Sequence, residues 1–192
     1  MKPIIGILLR NEDARLYLKK ELFDSIFKFG GIPIGIDNNL DDYLKICNGY
    51  IIPGGDDYIE IELQNMKKLY NLNKKVLGIC LGHQTMGMIN NGTIYDINNH
   101  KSLDKYVHSI IIEKNSLLYK IIGKEKIEVN SRHKSALLNT SFFVSAKSED
   151  GVIEAIEDQK KTFFMGLQWH PESLCDINSQ KIFTYFINIC KG

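Results

Sequence analysis

Apolar positions in the first half of this chain come in two alternating arrangements, short unbroken runs and longer stretches at helical spacing. Pro3 to Leu9 is apolar throughout, as a strand buried on both faces of a parallel sheet should be. From Glu12 to Phe29, Leu16, Leu22, Phe23, Ile26 and Phe27 describe an amphipathic helix, closed by a glycine cap at Gly30-Gly31. Ile32 to Ile36 predicts a second strand, and Leu40 to Cys47 a short helix whose Asp41 and Asp42 suit a helix N-terminus. Gly49 to Pro53 is a third strand. Tyr58 to Leu72, with Ile59, Leu63, Met66 and Leu69, is a helix, Val76 to Ile79 a fourth strand, and Thr85 to Asn91 helical again. Strand and helix in alternation with short connections predict a doubly wound α/β fold. Such sheets bind ligands at the carboxyl ends of their strands.

Beyond Gly92 the pattern changes. Thr93 to Ile97, Val107 to Ile112, Lys126 to Asn130, Phe142 to Ser148, Val152 to Glu157 and Thr162 to Gln168 are strand-like pieces separated by turns such as Glu149-Asp150-Gly151. Ser179 to Cys190 closes the chain as a helix with Ile182, Phe183, Phe186 and Ile189 facing inward. The expected architecture is a mostly parallel central sheet flanked by helices, with an antiparallel or mixed portion added in the C-terminal half. No repeat, low-complexity tract or linker divides it, and 192 residues fit one domain spanning 1–192.

Composition narrows the partners. A net charge of +1, from 24 basic and 23 acidic residues, points to neither nucleic acid nor a membrane surface and makes a small-molecule substrate the default. The four cysteines, Cys47, Cys80, Cys175 and Cys190, lack CxxC spacing, which argues against both a zinc site and a disulfide framework, and favours a reducing compartment. The apolar run at the N-terminus is too short for a signal peptide and is stopped by Arg10 and Glu12. A cytoplasmic protein is expected. Lysine far outnumbers arginine, a habit of AT-rich bacterial genomes, and it singles out Arg10, Arg15 and Arg132 as the only arginines.

The stretch with most chemistry in it is Gly78-Ile79-Cys80-Leu81-Gly82-His83-Gln84. A cysteine flanked by glycines two residues to either side, between an apolar strand and a helix, is the cysteine form of the nucleophile elbow. Glycines permit the strained turn and the close approach of neighbouring chain, and the helix N-terminus favours a thiolate. A buried cysteine among glycines is the competing reading. A base and an orienting acid decide between them, and Gln168-Trp169-His170-Pro171-Glu172 supplies both at the end of the last strand. Pro171 removes a donor and restricts the backbone between His170 and Glu172. Pro53-Gly54-Gly55-Asp56-Asp57, by itself, reads as an ordinary turn.

Together, Pro53-Gly54-Gly55-Asp56, Gly78 to Gln84, Val129-Asn130-Ser131-Arg132-His133 and Gly166 to Glu172 resemble the class I glutamine amidotransferase superfamily, and more closely its γ-glutamyl hydrolase branch, which includes γ-glutamyl-γ-aminobutyrate hydrolases. The four blocks stand in the family's order and span nearly the whole chain. The resemblance implies a flavodoxin-like fold and a triad of Cys80, His170 and Glu172 that forms a glutamyl thioester and releases glutamate after water attack. It implies an oxyanion hole from the backbone N–H groups of Gly55 and Leu81, a contact from Gln84 to the glutamyl group, and a pocket wall from the segment Asn130 to His133. Ser131 and His133 fit a structural role as well as a direct one. His83 reads as packing, and His100 and His108 carry no signal. No cofactor or metal is implied, because thiolate attack on an amide needs none.

Two enzyme readings stay open. Gly82-His83-Gln84 is more like ammonia-donating subunits, which hydrolyse glutamine for a separate synthase partner, whereas the block from Asn130 to His133 and the strand Lys2 to Ile7 are more like the hydrolases. The balance favours a hydrolase of a γ-glutamyl amide, alone or as a homo-oligomer. The chain is shorter than is typical of that branch between Asp57 and Val76, and a trimmed rim suits a bulky leaving group such as a nucleotide or phosphate-bearing amine, as in cleavage of a γ-glutamyl nucleotide amidate during bacterial capsule modification. Arg10 and Arg132 are the candidates to meet its anionic groups. A catalytically silent regulatory member of the fold is a third reading, against which the complete triad stands.

Overall fold

A computed structural model describes residues 1–12, 15–56 and 59–191. In chain order the elements are β1 (Ile4–Leu8), β2 (Arg10–Glu12), β3 (Arg15–Tyr17), α1 (Lys20–Lys28), β4 (Ile32–Ile36), a 3-10 turn at Leu40–Tyr43, β5 (Gly49–Ile52), α2 (Glu60–Asn71), β6 (Val76–Ile79) and α3 (Leu81–Met88). There follow β7 (Thr93–Asp96), β8 (His108–Ile112), α4 (Leu117–Ile122), β9 (Lys126–Val129), β10 (Ser135–Asn139), β11 (Phe143–Ser148), β12 (Ile153–Glu157), β13 (Phe164–Leu167), α5 (Pro171–Leu174) and α6 (Ile177–Cys190).

Nine strands form one sheet in the order β4-β1-β5-β6-β13-β12-β11-β8-β9. The first five are mutually parallel, and in chain order they run second, first, third, fourth, last, the flavodoxin-like winding. The other four are antiparallel. The expected added portion is thus a continuation of the same sheet, while β7 and β10 make a small separate ribbon. The parallel strands β5, β6 and β13 are buried at every position, which is why they read as unbroken apolar runs. Apolar side chains pack on both faces: Ile5, Ile7, Leu77, Ile79 and Phe186 belong to one cluster, and Tyr50, Ile52, Val76, Met66 and Leu69 to the other.

Three expectations change. The helix read from Glu12 to Phe29 begins only at Lys20, because residues preceding it pair as the β2–β3 hairpin. Part of that stretch, Asp13 and Ala14, lies outside the described residues, as do Asp57 of the turn and Tyr58 at the expected start of α2. Phe27, expected inward, is exposed, with Lys2 Nζ 5.7 Å from its ring centre. The helix read from Leu40 to Cys47 shrinks to a single 3-10 turn. The helices α4 and α5 and strand β10 add to the expected elements. Among the described residues, no helix is long and apolar enough to cross a membrane.

Candidate active site

The parallel strands place their carboxyl ends side by side, and β5, β6 and β13 each lead to one candidate group there. Strand β6 runs into Cys80, whose backbone sits at φ 53° and ψ −105° and which directly precedes α3. That positive φ is costly for a cysteine and persists because the surroundings fix it. A Cβ on Gly82 would lie 2.0 Å from the Ile52 carbonyl oxygen, and one on Gly78 2.6 Å from the Gly82 oxygen. Both flanking glycines are therefore demanded by backbone contact, as the elbow reading requires. The Cys80 N–H donates to the Leu167 carbonyl at 2.8 Å, tying the elbow to β13.

Beyond the end of β13 the chain reaches His170, and α5 begins immediately after it with Pro171. His170 Nδ1 bonds Glu172 Oε1 at 2.7 Å, both side chains being buried. The Cβ position of Gly54 lies 2.8 Å from His170 Cε1 and 3.2 Å from Cys80 Cβ, so the cysteine and the imidazole converge over the Pro53-Gly54-Gly55 turn. Burial disfavours the imidazolium, but the Glu172 carboxylate and Cys80 outweigh it and push His170 up from 6.5 to about 10. Burial likewise acts to raise Glu172, and the facing His170 outweighs it, holding the carboxyl below its usual range.

The turn after β5 is held from below. Arg10 donates through Nε to the Gly54 carbonyl at 3.1 Å and through Nη2 to that of Pro53, and Nη1 pairs with the buried carboxylate of Glu62 on α2. The expectation that Arg10 meets a substrate anion changes accordingly: the residue is 7 % exposed and its guanidinium is committed to the turn. Gly55 lies beside the start of α3, its Cβ position 3.2 Å from Leu81 Cδ2. The first N–H groups of α3 have no partner within the helix.

Cys80, Gln84, Gly55, Asp56, Arg132 and His133 line a cavity of about 640 Å3, together with Asp96, Lys101, Lys134 and other residues. Gln84 commits both amide hydrogens to protein, at 2.7 Å to the Ser135 carbonyl and 3.2 Å to Gln168 Oε1, so only its own carbonyl oxygen is left for a ligand. Arg132 gives one N–H to Ser173 Oγ at 3.1 Å and is part of the cavity wall. Ser131 is fully buried with its hydroxyl on the His100 carbonyl at 2.5 Å, which makes it a strut and removes it from direct contact with a ligand.

Two groups escape a reading of the chain. Asn130 clamps the main chain of His170, and Glu154 on β12 gathers the imidazoles of His100, His108 and His133. Asn130 stands in a matching block that gives it no task of its own. His100 and His108 sit in unremarkable local sequence, and only the antiparallel extension of the sheet brings them to Glu154. His83 is packing as expected: it is fully buried against Gly166, and burial pushes its imidazole down to about 4.

Comparison with known proteins accords with this arrangement. The family model described as Peptidase C26 matches residues 57–172. A candidate glutamine amidotransferase-like protein of Rickettsia prowazekii is 28% identical, with 91% of this chain and 92% of that protein aligned. A candidate glutamine amidotransferase of Schizosaccharomyces pombe is 34% identical over 88% of this chain and 80% of its own length. Among solved structures, one described as a GMP synthase subunit from Thermoplasma acidophilum superposes with a TM-score of 0.81 over 100% of this chain and 96% of that one, at 18% identity.

Proposed function

The chain belongs to the Peptidase C26 family, and from that premise we propose that it is a cysteine-dependent hydrolase of a γ-glutamyl amide, working as one domain with Cys80, His170 and Glu172 as its triad. The observation that carries the reading is the 2.7 Å bond from His170 to Glu172, with the imidazole facing Cys80 on a strained elbow at the edge of a large cavity. The raised His170 supports an imidazolium held by the Glu172 carboxylate beside Cys80, placed to exchange a proton with the sulfur and the leaving amine.

The thiolate of Cys80 attacks the γ-carbonyl carbon, and the carbonyl electron pair moves onto oxygen. The N–H groups of Gly55 and Leu81, adjacent at the turn and the helix start, are the donors for that oxyanion. As the C–N bond breaks, the proton on His170 passes to the leaving amine, giving a glutamyl thioester on Cys80. Water then gives a proton to His170 and attacks the thioester, and the C–S bond breaks to release glutamate and the thiolate. Glu172 holds the imidazole in orientation and stabilises its cation throughout.

Lys101, Arg132 and Lys134 on the wall suit a leaving amine that carries phosphate or a nucleotide, and Asp56 and Asp96 suit the α-ammonium group of the glutamyl part. The names of the relatives favour a second reading, a glutaminase that delivers ammonia to a separate synthase. Glutamate release from glutamine and from a panel of γ-glutamyl amides, with and without a phosphate-bearing amine, separates the two. The hydrolase acts on conjugates and scarcely on glutamine. Turnover of glutamine that outpaces every conjugate contradicts it.

A further inference from the structure

Four of the five histidines lie outside the triad, and three of them surround a single carboxylate. Glu154 is fully buried on β12, and neither of its oxygens accepts a hydrogen bond from a described residue. Its Oε1 faces His108 Nε2 at 3.1 Å, His100 Nδ1 at 3.6 Å and His133 Nε2 at 3.7 Å. Those three nitrogens also lack hydrogen bonds among the described residues. Donor atoms of His100, His133 and Glu154 lie within 4.8 Å of one another.

The outer nitrogens of two rings say which edge is free. His133 Nδ1 faces the Ser135 carbonyl at 3.1 Å, and a carbonyl only accepts, so Nδ1 carries the hydrogen. His100 Nε2 faces Asp150 Oδ2 at 2.9 Å, so it carries the hydrogen there. In their neutral forms both rings then turn a lone pair toward the Glu154 carboxylate. Lone pairs converging on an anion need a cation between them. The two longer separations exceed a hydrogen bond. The separations to His100 and His133 lie near the roughly 3.3 to 3.6 Å edge of a tetrahedron whose centre is about 2.0 to 2.2 Å from nitrogen and oxygen ligands. An imidazole whose far N–H is fixed by a carboxylate or a main-chain carbonyl is the usual outer arrangement of a histidine metal ligand.

We propose that His100, His133 and Glu154 form a binding site for a divalent metal ion of the zinc class, with His108 facing the same carboxylate from outside the ligand set. Imidazole-rich sets of this kind suit zinc, cobalt, nickel or copper rather than magnesium or calcium. Three protein ligands leave the fourth position of a tetrahedron to water. The ion braces the loop that carries His100 and the segment after β9 against the sheet at β12. Lys101, Arg132 and Lys134, on the cavity wall, are sequence neighbours of two of the ligands, so the brace sets that wall.

The test uses the full, untagged chain, treated with a chelator and then titrated with zinc and with cobalt, with metal content read by mass spectrometry and cobalt geometry by its visible absorption. The expected result is one tightly bound equivalent per chain, a tetrahedral cobalt spectrum, a higher thermal midpoint with metal, and binding weakened on the order of 10- to 100-fold or more in His100→Gln and Glu154→Gln. Cys80→Ala retains the full equivalent, which separates this site from the thiol. Folded wild-type protein that takes up no stoichiometric zinc or cobalt overturns the proposal, and so does uptake that is unchanged in His100→Gln. Because the wild-type titration decides by itself, a variant that fails to fold leaves the proposal open to refutation.

Discussion

Asn130 grips His170 by both of its main-chain polar groups. The amide Nδ2 donates to the His170 carbonyl at 2.9 Å, and the His170 N–H donates to Asn130 Oδ1 at 2.8 Å. Both residues are buried, and Asn130 directly follows β9 at the antiparallel edge of the sheet, so this clamp ties the far edge to the centre of the site.

Replacing Asn130 with alanine leaves the buried His170 N–H unpaired, at about 1 to 3 kcal/mol, removes one of the three donors to the His170 carbonyl, which keeps those of Ser173 and Leu174, and lets the imidazole drift. The expected outcome is a fall in kcat on the order of 100-fold with KM within a few-fold of wild type, since a displacement of about 1 Å is enough for such a loss. Steady-state kinetics beside a denaturant titration checks it. A rise in KM alone would assign Asn130 to substrate binding instead.

The elbow glycines differ sharply from a turn glycine. At Gly82 an added Cβ meets main chain at 2.0 Å, whereas Gly151, at φ 91°, has open space around it. Gly151→Ala should cost about 1 to 2 kcal/mol, the penalty of a left-handed backbone for an L-residue. Gly82→Ala must displace β5 or the start of α3 and should cost at least twice that, with loss of reactivity at Cys80. Denaturant midpoints and thiol alkylation rates of the two variants measure the contrast.

For Arg10, the buried pair with Glu62 predicts a stability defect. Arg10→Met strands a carboxylate that is 4 % exposed and frees two carbonyls of the turn, so about 3 to 5 kcal/mol should be lost. Arg10→Met combined with Glu62→Leu should recover much of the stability and little of the activity, since the turn stays unbraced. An Arg10→Met protein of unchanged stability and raised KM for anionic conjugates would restore a substrate role.

Stability should also fall on the alkaline side. His170 is raised in the folded state from 6.5 to about 10, so its contribution is fully present below about pH 6.5 and is lost as pH rises toward 10. Glu172 is lowered, so its contribution is present above its usual range near 4.5 and is lost in acid. The pH dependence on both sides should flatten in Glu172→Gln, which removes the carboxylate that titrates in acid and holds His170 up. Denaturant midpoints across the pH range, wild type against variant, show whether the alkaline loss shrinks.

The parallel half was legible because β1, β5 and β6 lie between two packed faces and read as short apolar runs, and because Gly78 and Gly82 mark where main chain meets main chain. The hairpin at β2–β3 was not, since Leu16 and Leu22 mimic one face of a helix while the local pairing and the burial of Arg10 are decided by α2 and the turn after β5. Cys80, His170 and Glu172 announce themselves locally. Arg10, Ser131 and Glu154 do not. Arg10 meets Glu62 52 residues onward and Ser131 meets His100 31 residues back, while Glu154 meets imidazoles from three separate segments, and only the sheet order makes these groups neighbours.

The thioester tests the account most directly. A γ-glutamyl amide with a chromogenic leaving amine is mixed with the protein, quenched in acid within the first turnover, and the mass of the intact chain and of its Cys80 peptide is measured. One glutamyl group on Cys80, with a burst of amine equal to the enzyme concentration and neither adduct nor release in Cys80→Ala, is the predicted result. Amine release at the wild-type rate from Cys80→Ala, or an adduct on any other residue, would contradict it.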